Sequence, residues 1–172
     1  MSYSVRDDNP ILGAGAQIAF GNGATGPVLA RIQAVEPVVI FGDAGNFTTG
    51  HKYSAFIAPL GPTAGVPALG TNWQIIAGVI NVGTASSSGT LAIEICPSGT
   101  ADGSGNNVLS TTNTSLASSG TGVGGNAPAA LTLNSNIDNL IITPGGRINF
   151  IFGGTLTSLV NLNCTLYVAR VS

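Results

Sequence analysis

Side chains able to do chemistry are few in this chain. His51 is the only histidine, and Asp43 is the acid nearest to it in sequence. A Ser-His-Asp arrangement would have to use that pair, yet no Gly-x-Ser-x-Gly elbow occurs. A three-histidine zinc centre is excluded, and no Cys/His spacing has the form of a structural zinc site. Asp102-Gly-Ser-Gly-Asn-Asn107 puts oxygen-bearing residues at alternate positions, as the first half of a calcium loop does. Its sixth position is Asn107 where the turn wants glycine, and its twelfth is Asn113 where a bidentate glutamate belongs. A solvated turn is the expected reading, with no metal. Gly21-Asn-Gly-Ala-Thr-Gly26 has the G-x-G-x-x-G spacing that lets a pyrophosphate approach a helix N-terminus. With 25 glycines the spacing recurs at Gly120–Gly125, where no helix follows, so no nucleotide and no other cofactor is expected.

Cys96 and Cys164 are the only cysteines, each inside an apolar alternating stretch. Pairing across neighbouring strands is one reading. Two buried reduced thiols is the preferred one, because cysteine is among the most buried residue types and no export signal is visible. Without export, the Asn-x-Ser/Thr triplets at Asn46, Asn113 and Asn163 carry no weight. Asp7-Asp8, beside Arg6, is a carboxylate pair on a polar arm, where the rigid separation that glycoside hydrolysis needs is hard to achieve. Glu94 and Arg147 lie in or at the end of apolar strands. An unpaired charge is costly there, so each is expected to have a specific partner: the other, or a residue on a neighbouring subunit.

The elements that position these residues read as β throughout. Short apolar or β-branched runs alternate with Gly, Pro, Ser and Asn from end to end, the pattern of a sandwich or barrel. Strands are expected at Ala16–Phe20, Val28–Val35, Val38–Phe41, Tyr53–Ala58 and Trp73–Val82, then at Thr90–Cys96, Ala130–Leu133, Leu140–Ile142, Arg147–Phe152 and Leu162–Arg170. Period-two alternation places Leu91, Ile93 and Ile95 on one face, with Ala92, Glu94 and Cys96 on the other. Pro27–Glu36 also fits a short helix, but β-branched residues favour a strand. Thr143-Pro-Gly-Gly146 suits a type II turn and is expected to join 140–142 and 147–152 as a hairpin. Gly83–Gly89 is expected to be an exposed loop. One domain is expected over 1–172, with an N-terminal arm over about 1–15 and a long surface excursion over about 97–129.

Only 7% of the 172 residues are charged, five basic and seven acidic, against roughly 25% in an average domain. Five scattered cations cannot supply the basic footprint of a nucleic-acid binder. An apolar fraction of 44% is too high for intrinsic disorder. No run approaches the roughly 20 apolar residues of a membrane helix. A small outer-membrane barrel is a weaker alternative, without a signal peptide or strong aromatic girdles.

The segment Leu140-Ile-Ile-Thr-Pro-Gly-Gly-Arg-Ile-Asn-Phe-Ile-Phe-Gly-Gly-Thr155, with the closing Thr165-Leu-Tyr-Val-Ala-Arg-Val-Ser172, resembles the jelly-roll decoration (cement) and head-fibre proteins of tailed bacteriophages. The likeness covers about the last 35 residues and the overall composition. It implies a trimer standing on a capsid lattice, with no catalytic residues to carry over. The reading is therefore an all-β, antiparallel jelly-roll-like sandwich with long Gly/Ser/Asn-rich loops. It would be a non-enzymatic virion protein, assembled in the host cytoplasm, that binds the major capsid protein on the capsid surface. Tyr3, Val5, Arg6, Asp7 and Asp8 are the candidate assembly contacts. The alternative is a receptor- or carbohydrate-binding module of a tail fibre or spike, with Trp73 and Tyr53 as stacking candidates.

Overall fold

A computed structural model describes residues 17–21, 27–31, 35–59, 72–117 and 128–171. The chain divides into two compact units, 1–35 and 36–172. Within the first, β1 (Gln17–Gly21) and β2 (Pro27–Arg31) form an antiparallel ladder with Gln17 opposite Arg31. The stretch after the Gly21–Gly26 motif is thus a strand, and the motif has no helix to feed a phosphate. The candidate contacts Tyr3, Val5, Arg6, Asp7 and Asp8 lie outside the described residues.

Ten strands follow: β3 (Val35–Gly42), β4 (Lys52–Ile57), β5 (Asn72–Thr84), β6 (Thr90–Cys96), β7 (Asn106–Asn107), β8 (Thr114–Ser115), β9 (Ala129–Ala130), β10 (Ile141–Ile142), β11 (Arg147–Gly153) and β12 (Val160–Val171). They make two sheets, ordered β10-β5-β12-β3 and β4-β11-β6-β7, with β9 on β5 and β8 on β6. The last strand lies between β3 and β5, and the strand before it lies between β4 and β6. The chain crosses between the sheets from β3 through to β6, again from β8 to β9, and from β10 through to β12, so that its second half interleaves with its first, as in a jelly roll. Every described pairing between strands is antiparallel. Both sheets are open, with β3 and β10 as edges of one and β4 and β7 as edges of the other.

Alternation explains the core. Val38 and Ile40 of β3, Ile80 and Val82 of β5 and Leu162 to Val168 at even positions of β12 face inward from one sheet. Leu91, Ile93 and Ile95 of β6 and Ile148, Phe150 and Phe152 of β11 meet them from the other. Phe47 stacks on Phe152 at 4.1 Å, and Tyr53 meets both rings edge-on.

Three expectations are corrected here. The turn at 143–146 forms, with Gly146 N donating to Thr143 O at 2.8 Å and Gly145 at φ 76°. It does not close a hairpin, because β10 pairs with β5 while β11 pairs with β4 and β6. The turn is a corner between sheets, pinned where Ala58 N donates to Gly146 O. The loop after β5 is also not simply exposed. Ser86 is buried, donates to Leu116 O and accepts from Gly89 N. The 97–129 segment is likewise partly woven into the fold: β7 and β8 pair with β6, and Val108, Leu109 and Leu116 enter the core.

Candidate functional site

Glu94 and Asn149 stand directly opposite each other on β6 and β11, on the faces turned away from the core. Such positions normally meet water, yet Asn149 is fully buried and Glu94 is 6% exposed. The cover is the start of the long excursion, residues 97–105, which folds back over the outer face of the sheet and is fastened to it by polar groups.

Glu94 is held by three donors: Gly103 N at 2.7 Å, Gly105 N at 3.1 Å and Asn149 Nδ2 at 3.0 Å. Burial alone would push its carboxyl up, but these hydrogen bonds outweigh that and hold it below the usual carboxylate range. Asn149 Nδ2 also donates to Asp102 Oδ1 at 2.8 Å, while its Oδ1 accepts from Ser54 Oγ at 2.6 Å. Asp102 in turn is bridged by the Arg147 guanidinium, and Arg147 Nη2 reaches Thr100 O at 2.7 Å. The Arg147 hydrogen bond lowers the Asp102 carboxyl, with Asn149 contributing.

The expected Glu94–Arg147 pairing is therefore replaced. Arg147 sits opposite Cys96, two residues along the ladder from Glu94, and it takes Asp102 from the loop instead. Glu94 is satisfied by backbone amides and Asn149. The loop expected to be a solvated turn is the lid of this network. Asp102 and Asn149 were not singled out as partners from sequence. The available signal was a lone amide inside Ile148-Asn-Phe-Ile-Phe, a polar residue where alternation gives a buried neighbourhood.

Glu94, Cys96 and Asp102 place one ligand atom each within 4.8 Å of one another, a spacing that suits a cation. Here the Asn149 amide hydrogens point to both carboxylates and Arg147 neutralises Asp102, so the arrangement works as a hydrogen-bonded lock. Cys96 is buried beside Glu94, and burial, with that carboxylate adding to it, pushes its thiol up to about 11. Burial pushes Cys164 up to about 12. Both thiols are free and lie in different sheets, and neither has the low pKa of a nucleophilic cysteine.

The other candidates are placed apart. His51 packs its ring against Tyr53 at 4.7 Å, while Asp43 accepts from Asn161 N at 2.7 Å, so the two form no acid–base pair. Trp73 is 5% exposed and packs edge-on against Phe56, with Arg170 over its ring. Tyr53 packs into the Phe47–Phe152 stack and donates to Asn46 O at 3.4 Å. Neither ring is presented for stacking a ligand. Among the described residues, no helix is long and apolar enough to cross a membrane.

The lock closes the outer face of one sheet, and the other sheet differs. Of the eight exposed large hydrophobic residues among those described, Val35, Val39, Phe41, Ile76, Val160 and Tyr167 belong to β3, β5 or β12, whereas Ile57 lies at the end of β4 and Ile137 in a 3-10 turn.

No family model matches the chain, and no curated protein matches it. Solved structures do, among them the following two. One is the structure of infectious bursal disease virus, Gx strain, at 15% identity and a TM-score of 0.35, covering 90% of this chain and 37% of that one. The other is the structure of the Gt strain of the same virus, at 13% identity and a TM-score of 0.35, covering 91% and 38%. The chain thus spans less than two fifths of the length of the chains it is similar to.

Proposed function

We propose that this chain is a structural virion protein of the decoration or cement type, a homotrimer that binds the outside of a phage capsid and staples its lattice. The observation that carries the reading is the asymmetry between the two sheets. The chain covers the Glu94–Asn149 part of the outer face of β4-β11-β6-β7 with its own loop, yet leaves Val39, Ile76 and Tyr167 exposed on β3, β5 and β12. Exposed apolar groups gathered on one sheet mark an interaction surface, and a symmetric oligomer repeats such a contact at each lattice junction. Among the described residues, this face presents no activated nucleophile. Its role is adhesion, with the capsid protein as partner.

The experiment is native mass spectrometry of the purified chain, followed by co-sedimentation with phage heads that lack it. The wild-type chain is expected to run as a trimer and to pellet with the heads. The double variant Ile76→Asp/Tyr167→Asp should keep its melting temperature and lose both properties, and removal of residues 1–10 should weaken pelleting. A monomeric wild type that stays in the supernatant, or a double variant that behaves as wild type, overturns the reading.

A further inference from the structure

Where β3 ends and β12 begins, the chain forms an open cleft of about 530 Å³, a size that suits a small ligand. Its wall carries Phe41, Asp43, Asn46, Asn81, Asn161 and Asn163. Each element delivers its residue for a local reason. Phe41 is an outward position of edge strand β3, between inward Ile40 and the strand end, and is 75% exposed. Asp43 and Asn46 bracket a 3-10 turn in which Asp43 N donates to Asn46 Oδ1 at 2.7 Å. Asn161 holds a left-handed backbone at φ 54° and donates its N–H to Asp43 Oδ1, which fixes the start of β12 against the turn. Asn163 and Asn81 then face each other across the β12–β5 ladder.

The chemistry of that wall is specific. No Lys, Arg or His lines it, so it has no counter-charge for a phosphate, sulfate or sialic acid. Its one carboxylate is already used to hold Asn161. What remains is amide. The Asn161 side chain, Asn163 Nδ2 and Asn81 Nδ2 make no hydrogen bond among the described residues, while Asn163 Oδ1 accepts from Thr165 Oγ1 and Asn81 Oδ1 is buried out of reach of the cleft. Asparagine offers two donors and an acceptor on one planar group, which matches adjacent hydroxyls. An exposed aromatic ring beside such amides supplies a flat apolar surface for C–H groups. Vicinal hydroxyls on one side and a C–H face on the other define an uncharged sugar ring. We infer that this cleft is a binding site for a neutral saccharide, with Phe41 as the stacking platform and Asn81, Asn161 and Asn163 as hydroxyl partners. Ile76 and Tyr167 do not line the cleft, and the inference stands whether or not the chain decorates a capsid.

The test is saturation-transfer NMR of the full-length chain with glucose, galactose, mannose and N-acetylglucosamine, alongside an array of neutral, sialylated and sulfated glycans. Neutral glycans are expected to bind. Phe41→Ala should weaken them about three- to tenfold, the factor that one aromatic contact supplies. Asn163→Ala should weaken them too, and both variants should keep the wild-type melting temperature, since both side chains are exposed. The inference is overturned if no neutral glycan binds, if only anionic glycans bind, or if binding is unchanged in both variants. Trimer mass and head pelleting of Phe41→Ala distinguish the two proposals: retention of both with loss of sugar supports a dedicated site, and loss of the trimer with sugar binding intact overturns it.

Discussion

Asn149 is the residue on which the lock depends, and its removal has a calculable cost. Asn149→Ala takes one of three donors from Glu94, a carboxylate with almost no access to water. A hydrogen bond to a charged group contributes about 1.5–3 kcal/mol net. The bond to Asp102 adds little, because Asp102 is 43% exposed and water replaces most of it. The truncation also leaves a small void in a fully buried position, worth roughly another 1 kcal/mol. The sum is about 2–4 kcal/mol, a large share of the roughly 5–15 kcal/mol that holds a typical domain together. At about 2–4 °C per kcal/mol for a chain of this size, the melting temperature should fall by roughly 4–16 °C. Urea unfolding of wild type, Asn149→Ala, Glu94→Gln and the double variant closes a thermodynamic cycle. A coupling above about 0.5 kcal/mol is expected for groups in direct contact. Ser54→Ala is a second probe: it removes the hydrogen bond that the buried Asn149 Oδ1 accepts and should cost about 1–3 kcal/mol. If Asn149→Ala unfolds within about 0.5 kcal/mol of wild type, or the cycle shows no coupling, the lock does not hold the loop and the reasoning fails.

Two further outcomes follow from the same geometry. Glu94 and Asp102 both sit below their unfolded values of 4.5 and 3.8, so the stability they contribute is complete above about pH 4.5 and is lost as pH falls through the lower folded values. Thermal melts across pH 2–7 should therefore show an acid limb that Glu94→Gln makes shallower, and an equally steep limb in that variant would remove Glu94 from the account. Gly105 lies so close to the sheet that an added Cβ would stand 2.5 Å from Ile95 O and 2.8 Å from Cys96 Sγ. Gly105→Ala should lift the loop and raise hydrogen exchange at the Gly103 amide by tenfold or more, a change checked by exchange mass spectrometry.

Most of the fold was legible because it rests on local signals. Period-two runs such as Leu91–Cys96 and Leu162–Val168 carry their strand identity and inward face in a handful of residues, and structure and sequence agree there to within a residue or two. What was not legible is non-local. Thr143-Pro-Gly-Gly146 encodes a turn, but whether a turn closes a hairpin or carries the chain to the opposite sheet depends on which strands already flank its neighbours. The same holds at the lock. Sequence gives Glu94 and Arg147 as charges that need partners, since burial of a lone charge is costly wherever it happens. It cannot give Asp102 as the partner, because Asp102 reaches Arg147 only after the excursion has folded over β6. The Phe41 cleft is assembled from β3, β5 and β12, which lie far apart in the chain, and its amides are indistinguishable in sequence from those of the surrounding loops.

The scarcity of charge takes on a definite meaning once these placements are combined. A domain of this size ordinarily spreads charge over its surface to stay dispersed. In this chain, with five basic and seven acidic residues, Glu94, Asp102 and Arg147 are committed to one internal network, and the Lys52 charge lowers the Asp102 carboxyl further. Charge is used as a fastener for the loop that seals one sheet. The opposite sheet carries Glu36 on β3 and Arg170 on β12, while its exposed Val39, Ile76 and Tyr167 are neutral apolar positions. Two like-charged copies repel each other across an interface, and desolvating their charges is costly; a neutral face has neither penalty. The scarcity of charge around the exposed Ile76 and Tyr167 removes both penalties there, which is what the proposed adhesion role requires.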